Sequence, residues 1–185
     1  MIGKKNIVFG FLYLVLTASL GPYMVANMLP DVDAALADKQ APVGRLQQLQ
    51  ENDFEEDLDA LPADKIAMAN TAGILALNKM TNTQGPLNAM RSAHAHGNLE
   101  AVLNILAGLT LGFIAIGRLF KQIISWAFII GALTHSGMLY LLNFGQTWAS
   151  SVLQLGPWIV LTALLLIGVA AAIGLKSEVV KDNRT

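Results

Sequence analysis

Four stretches of about 20 mostly apolar residues, near 6–29, 97–117, 122–143 and 157–175, constrain this chain more than any motif does. Each is long enough, as a helix rising 1.5 Å per residue, to cross a hydrocarbon core of ~30 Å. Lipid offers the backbone no hydrogen bonds, so such stretches fold as helices. The 14% of charged residues lie mainly in one segment and the two tails. The expected fold is an all-α integral membrane four-helix bundle with a helical extracytoplasmic insertion between helices one and two. Its parts are a first transmembrane helix in 1–30, an acidic cap over 31–85, helices two to four in 86–118, 119–145 and 153–176, and a tail at 177–185.

Composition removes several function classes. Net charge is −1, which does not suit a nucleic-acid partner. The chain has no cysteine, so disulfides, thiolate catalysis and cysteine-bound metals are excluded.

Lys4 and Lys5 before an apolar run, with Leu16-Thr17-Ala18 behind, have the outline of a signal peptide. The run continues through Met24, Val25 and Met28, which is long for such a peptide, so a retained anchor is expected. Gly21-Pro22 predicts a kink, because proline removes a backbone hydrogen bond. Lys4, Lys5, Arg118, Lys121, Lys176, Lys181 and Arg184 fall on one side of a four-span chain. The positive-inside rule makes that side, with both termini, cytoplasmic and puts 31–90 outside.

The outer segment includes "ENDFEEDLDALPADK". Val43, Leu46, Leu49 and Phe54 recur at helical spacing and predict a helix over 43–54; a second is expected over 63–80, after Pro62. The carboxylates lack calcium-loop spacing and read as a solvated acidic surface. Gln84-Gly85-Pro86 is expected to turn into helix two. Arg118 and Lys121 mark a short inner turn, and Gly145 to Gly156-Pro157 an outer one.

The segment "RSAHAHGNLEAVLN", residues 91–104, is too polar for a lipid-facing helix. His96, Glu100 and Asn104 are spaced four apart on one face, and Gly108 and Gly112 continue the row as a close-packing patch. His94 points elsewhere. Ionisable groups are costly in hydrocarbon, so the stripe must face protein, a cofactor or water. Helix three offers Thr134, His135, Ser136, Tyr140 and Asn143. Measured from the inner turn, Asn104 should be level with His135, about 21 Å along, and Glu100 with Tyr140.

Several uses fit such a pocket. A histidine at the end of a membrane helix can hold haem iron, with Arg91 on a propionate. Zinc suits His94 and His96 poorly, because they point apart. A proton relay through Glu100 and the histidines is another use, and plain interhelical hydrogen bonding is the simplest. The expected depth of His135 differs from that of His94 or His96 by more than 10 Å, so one histidine per iron is expected. That leaves an open coordination position and favours ligand chemistry over pure electron transfer.

"SAHAHGNLEAVLN" on helix two and "GMLYLLNF" on helix three resemble the styrene oxide isomerases, small bacterial four-helix membrane proteins that bind haem b. The resemblance implies His94 as haem ligand, with His96 as the alternative if the match slides by two. It puts Glu100 where the family has its active-site asparagine, and Tyr140 where it has its active-site tyrosine. Arg91, Asn104 and His135 complete the expected cofactor surroundings. Ferric haem would then act as a Lewis acid on an epoxide, yielding a carbonyl from a small apolar substrate in a bacterial inner membrane. The acidic cap is an insertion relative to that family. A similar His-Ala-His opening occurs in the haem-bearing subunit of haem–copper oxidases and nitric oxide reductases. The alternative is a non-catalytic accessory or electron-transfer subunit of a membrane complex; a homo-oligomer is the other assembly expected.

Overall fold

A computed structural model describes residues 2–57 and 59–180. The chain is almost wholly helical. Its elements are α1 (Lys4–Ala18), α2 (Leu20–Asn27), α3 (Leu29–Glu51), β1 (Glu55–Glu56), β2 (Asp59–Ala60), α4 (Ala63–Leu111), α5 (Arg118–Ala132), a π-helical turn (Leu133–Gly137), α6 (Met138–Asn143), α7 (Ala149–Leu153) and α8 (Gly156–Gly174). They form two compact units, one of Tyr23–Asn88 and one of Met1–Pro22 with Ala89–Thr185.

Among the described residues, three helical stretches are long and apolar enough to cross a membrane: Lys4–Asn27, Arg118–Asn143 and Ala149–Gly174. The C-terminal half of α4 carries the polar stripe and is not among them. The exposed residues of the three stretches are large and apolar, such as Val15, Trp126, Trp158 and Ile173. Asn6, Thr17, Glu100, Asn104, Lys121, Ser125 and Ser136 are buried instead. Apolar outside and polar inside is the reverse of a water-soluble protein, and it suits a hydrocarbon solvent.

In the unit containing α5 and α8, small residues allow close approach. A β-carbon on Gly10 would sit 2.6 Å from the Ala101 carbonyl oxygen, and one on Gly108 2.6 Å from that of Gly3. Gly131 faces Val160, and Gly156 presses on the His135 backbone. Ala107, Leu111, Ile114, Ile124, Phe128, Ala163 and Ala170 form the apolar core. The segment after α8 doubles back: Ala115 N–H donates to Gly174 O at 2.7 Å and Lys176 N–H to Phe113 O at 2.8 Å. The start of α1 and the end of α8 therefore lie against the same end of α4.

The helix breaks at Ser19, three residues before Pro22, whose missing N–H leaves the Ala18 carbonyl without its helical partner. In the other unit, α3 runs from Leu29 through Pro42, well beyond the expected 43–54. Leu46 packs onto Gly73, Lys79 pairs with Asp38 at 2.6 Å, and Arg45 with Glu56 at 2.6 Å. A two-residue hairpin, β1–β2, interrupts a segment expected to be helical; Asp53, Phe54 and Asp57 take positive φ around it.

Two expectations are corrected. Gln84-Gly85-Pro86 is not a turn: α4 continues through it, with Pro86 inside. One lost hydrogen bond is outweighed by helix on either side, where Leu87 and Met90 are buried. The depth register between α4 and α5 also differs from the expected one. Helix α4 stops at Leu111 and six residues, 112–117, form the connector, so Leu111 and Arg118 are the proper reference points. Asn104 bonds to Phe128, and through Asn6 to Ser125, rather than lying level with His135, and Glu100 meets His135 and Ser136 rather than Tyr140.

Candidate functional site

The polar groups buried among α1, α4 and the α5–α6 stretch form three connected clusters. Asn6, Gly10, Tyr13 and Thr17 are the buried residues of α1, at helical spacing on one face. Each polar member joins one cluster.

The first cluster lies nearest the connector. Asn6 Nδ2 donates to Asn104 Oδ1 at 3.1 Å and to the Ser125 carbonyl at 2.8 Å, and Ser125 Oγ donates to Asn6 Oδ1. Asn104 Nδ2 donates to Glu100 O at 3.0 Å and Phe128 O at 3.1 Å. Every polar atom of these amides is engaged with protein, which fits a structural clamp between helices.

The second cluster holds the ionisable pair. Glu100 is 3% exposed. His135 Nδ1–H donates to Glu100 Oε1 at 2.5 Å. Ser136 donates to Oε2 from Oγ at 2.5 Å and from N–H at 3.3 Å. Tyr13 OH then donates to Ser136 Oγ at 2.8 Å. The π-helical turn at Leu133–Gly137 is what supplies these groups: two successive residues, His135 and Ser136, reach one carboxylate. Single π turns inside helices recur at functional sites.

The third cluster closes on itself. His94 Nδ1–H donates to Thr17 O at 2.7 Å, Asn98 Nδ2 donates to His94 Nε2 at 3.2 Å, and Thr17 Oγ1 donates to Asn98 Oδ1 at 2.7 Å. A β-carbon on Gly21 would lie 3.8 Å from His94 Nε2. Tyr140 is nearby and 8% exposed, with its hydroxyl against Gly97 and without a hydrogen-bond partner among the described residues.

These positions test the haem expectation. An axial imidazole needs a free nitrogen lone pair and room for the macrocycle. Both His94 nitrogens are engaged and Gly21 lies close to Nε2, so His94 does not fit as it stands. His96 fits better. It is exposed on α4, makes no hydrogen bond among the described residues, and its ring lies 4.7 Å from that of His135 at 57°. Arg91 is exposed on α4, about 13 Å along the helix from Glu100. No cluster of three or more metal-binding side chains occurs among the described residues.

Thus Glu100 and His135 come together, with His96 beside them; Tyr140 and His94 belong to a neighbouring cluster, and Asn104 to the clamp. Tyr13, Thr17, Asn98, Asn6 and Ser125 are not among the residues expected from sequence, and Ser136 was expected only as one of the polar groups helix three offers. The spacing of Asn6, Tyr13 and Thr17 in an otherwise apolar helix was the signal for three of them. No family model, curated protein or solved structure matches this chain.

Proposed function

We propose that this chain is a four-span integral membrane protein that performs acid–base chemistry inside its bundle, with Glu100 and His135 as the proton-exchanging pair. The observation that carries the reading is a carboxylate 3% exposed and bonded at 2.5 Å to an imidazole. Such a pair within membrane-spanning helices costs several kcal/mol to bury, and intramembrane ionisable groups mark function by default. A proton moves between Oε1 and Nδ1 without displacement of either heavy atom. Ser136 holds the other carboxylate oxygen, and Tyr13 bonds in turn to the Ser136 hydroxyl. The exposed face beside His96 gives apolar molecules a route from the lipid. The polar half of α4 is the fourth span, and both termini are cytoplasmic by the charge of Lys4, Lys5 and Arg118.

Infrared spectroscopy of the purified protein over a pH titration tests this. The expected result is a carboxyl band that titrates, vanishes in Glu100→Gln and moves in His135→Asn. Identical spectra for wild type and Glu100→Gln would overturn the proposal.

A second reading, haem b held by His96, is favoured by its exposed imidazole, which makes no hydrogen bond among the described residues. Bound ferric haem supplies Lewis acidity toward an epoxide oxygen, as the resemblance to styrene oxide isomerases implies. The chain's own part is His96 as ligand, the Tyr140 hydroxyl as donor to an oxygen, and Glu100 as proton holder. Absorption spectra of wild type, His94→Ala and His96→Ala test it: a Soret band lost only in His96→Ala is expected. A wild type that stays colourless with added haem removes this reading and leaves the acid–base pair standing.

A further inference from the structure

An apolar groove of about 220 Å³ runs between α4, α5 and α8. Ala107 and Thr110 of α4 form one wall, Leu164, Gly168 and Ala171 of α8 the other, and Phe128 of α5 contributes between them. Leu164 and Gly168 are exposed, so the groove opens outward. Its volume is below the roughly 300–1,000 Å³ of ordinary small-molecule pockets. A slim chain suits it better than a disc or a folded ligand. It also stands apart from the Glu100 cluster: of the residues in the three polar clusters only Phe128, whose carbonyl accepts from Asn104, lines it.

One end of the groove is electrically distinctive. Thr110 and Ala171 sit within a turn of the ends of α4 and α8. At that end lie Arg118, which opens α5, and Lys176, whose backbone is pinned to Phe113 at 2.8 Å. Lys4 stands beside Gly3, which packs on Gly108. Lys4, Arg118 and Lys176 are exposed. The sequence has no acidic residue before Asp31 and none between Glu100 and Glu178. Lys5 is held over the Trp126 ring at 4.0 Å, an aromatic–cation pair of the kind found at headgroup depth.

We infer that this groove seats one acyl chain of an anionic phospholipid from the surrounding bilayer, with its phosphate at the Arg118–Lys176 end. The inference rests on the membrane placement of these helices and not on the acid–base chemistry of Glu100. Apolar walls match the acyl chain, and the exposed Lys4, Arg118 and Lys176, which outnumber the one nearby carboxylate among the described residues, Glu178, match the headgroup. Each cation near an anionic leaflet strengthens binding about fivefold.

Gly168 gives a clean test, because a β-carbon there meets no atom within 4 Å. A larger side chain fills the groove without disturbing the packing behind it. The protein is placed in nanodiscs of phosphatidylglycerol or phosphatidylcholine, released, and weighed by native mass spectrometry. Wild type is expected to retain one phosphatidylglycerol and little phosphatidylcholine. Gly168→Leu should lose the retained lipid, and Arg118→Gln with Lys176→Gln should cut it well over tenfold. Helix content by circular dichroism checks that all variants are folded. Equal retention of the two lipids, or unchanged retention in Gly168→Leu, would overturn the assignment. So would a change of oligomeric state in Gly168→Leu with no lipid retained by wild type, since the groove would then hold a second copy of the chain.

Discussion

Glu100 accepts from His135 on one oxygen and from Ser136 on the other, so removing either donor leaves a different deficit. Without His135 the Glu100 carboxyl stays buried and loses its imidazole partner; if the two form an ion pair, His135→Ala should cost about 3–5 kcal/mol in a detergent unfolding titration. Ser136→Ala removes one neutral donor and strands the Tyr13 hydroxyl, for about 1–2 kcal/mol. If His135→Ala costs no more than Ser136→Ala, the pair is not charged. Gly97 makes a separate prediction. A β-carbon there runs into the Tyr140 hydroxyl, with Thr17 Cγ2 at 2.7 Å. Gly97→Ala should therefore destabilise by about 1–3 kcal/mol, and adding Tyr140→Phe should recover part of the loss by removing the oxygen. No recovery would mean that Thr17, not Tyr140, sets the fit. At this scale the sequence was readable where polar residues share one helical row. Glu100 and Asn104 stand out at spacing four, and both are buried. Tyr13 and Asn6 do not, because α1 reads as an apolar anchor and its few polar groups look incidental until a partner helix is beside them. His94 and His96 carry the same motif, yet only the fold shows that one is fully hydrogen-bonded and the other is not.

The helical stretch Arg118–Asn143 owes its contacts with Glu100 to five residues in the middle. A π turn holds one residue more than the α-helix would, so it changes the facing of everything beyond it. Deleting Thr134, whose side chain bonds only to the Ile130 and Gly131 carbonyls, should convert the turn to α-helix. Residues beyond it would keep nearly their facing relative to α5, but the turn that lets His135 and Ser136 both reach Glu100 would be gone. The expected outcome is a folded helix in which Glu100 has lost a partner, read as a changed His135 imidazole resonance. An unchanged resonance would show that the turn does not set the contact. The π turn has no sequence signature, since Leu-Thr-His-Ser-Gly is compatible with an α-helix, and so the register past it was not legible. The connector misled in a similar way. Arg118 and Lys121 were natural markers of an inner turn, but the true helix ends are Leu111 and Arg118, which shifts every level. At Pro86 local punctuation was overridden by the helix on both sides, whereas at Ser19 the break does follow from Pro22.

The whole molecule raises a question of parity. Three helical stretches meet the length and hydropathy needed to cross a membrane, and an odd number of crossings puts the two termini on opposite sides. Yet Gly3 packs on Gly108 and Lys176 is bonded to Phe113, so both ends of the chain meet the same end of α4. The proposed fourth crossing, by the C-terminal half of α4, would make the number of crossings even. Its low hydropathy is no obstacle, because Glu100 and Asn104 face α1 and α5 while Leu99, Val102, Leu106 and Leu109 face outward. The sequence suggested four spans from apolar stretches alone; three of them correspond to helices apolar enough to cross, and in the fourth the polarity is turned onto protein. Reporter fusions settle the parity. A cytoplasm-active reporter should be active at both termini, and a periplasm-active one at neither. Activity at only one terminus would mean that α4 does not cross. Leu165→Lys, on the exposed face of α8, should then cost about 2.5–3.5 kcal/mol of insertion, measurable as a fall in membrane-integrated protein. On a helix facing water the same change would be nearly neutral.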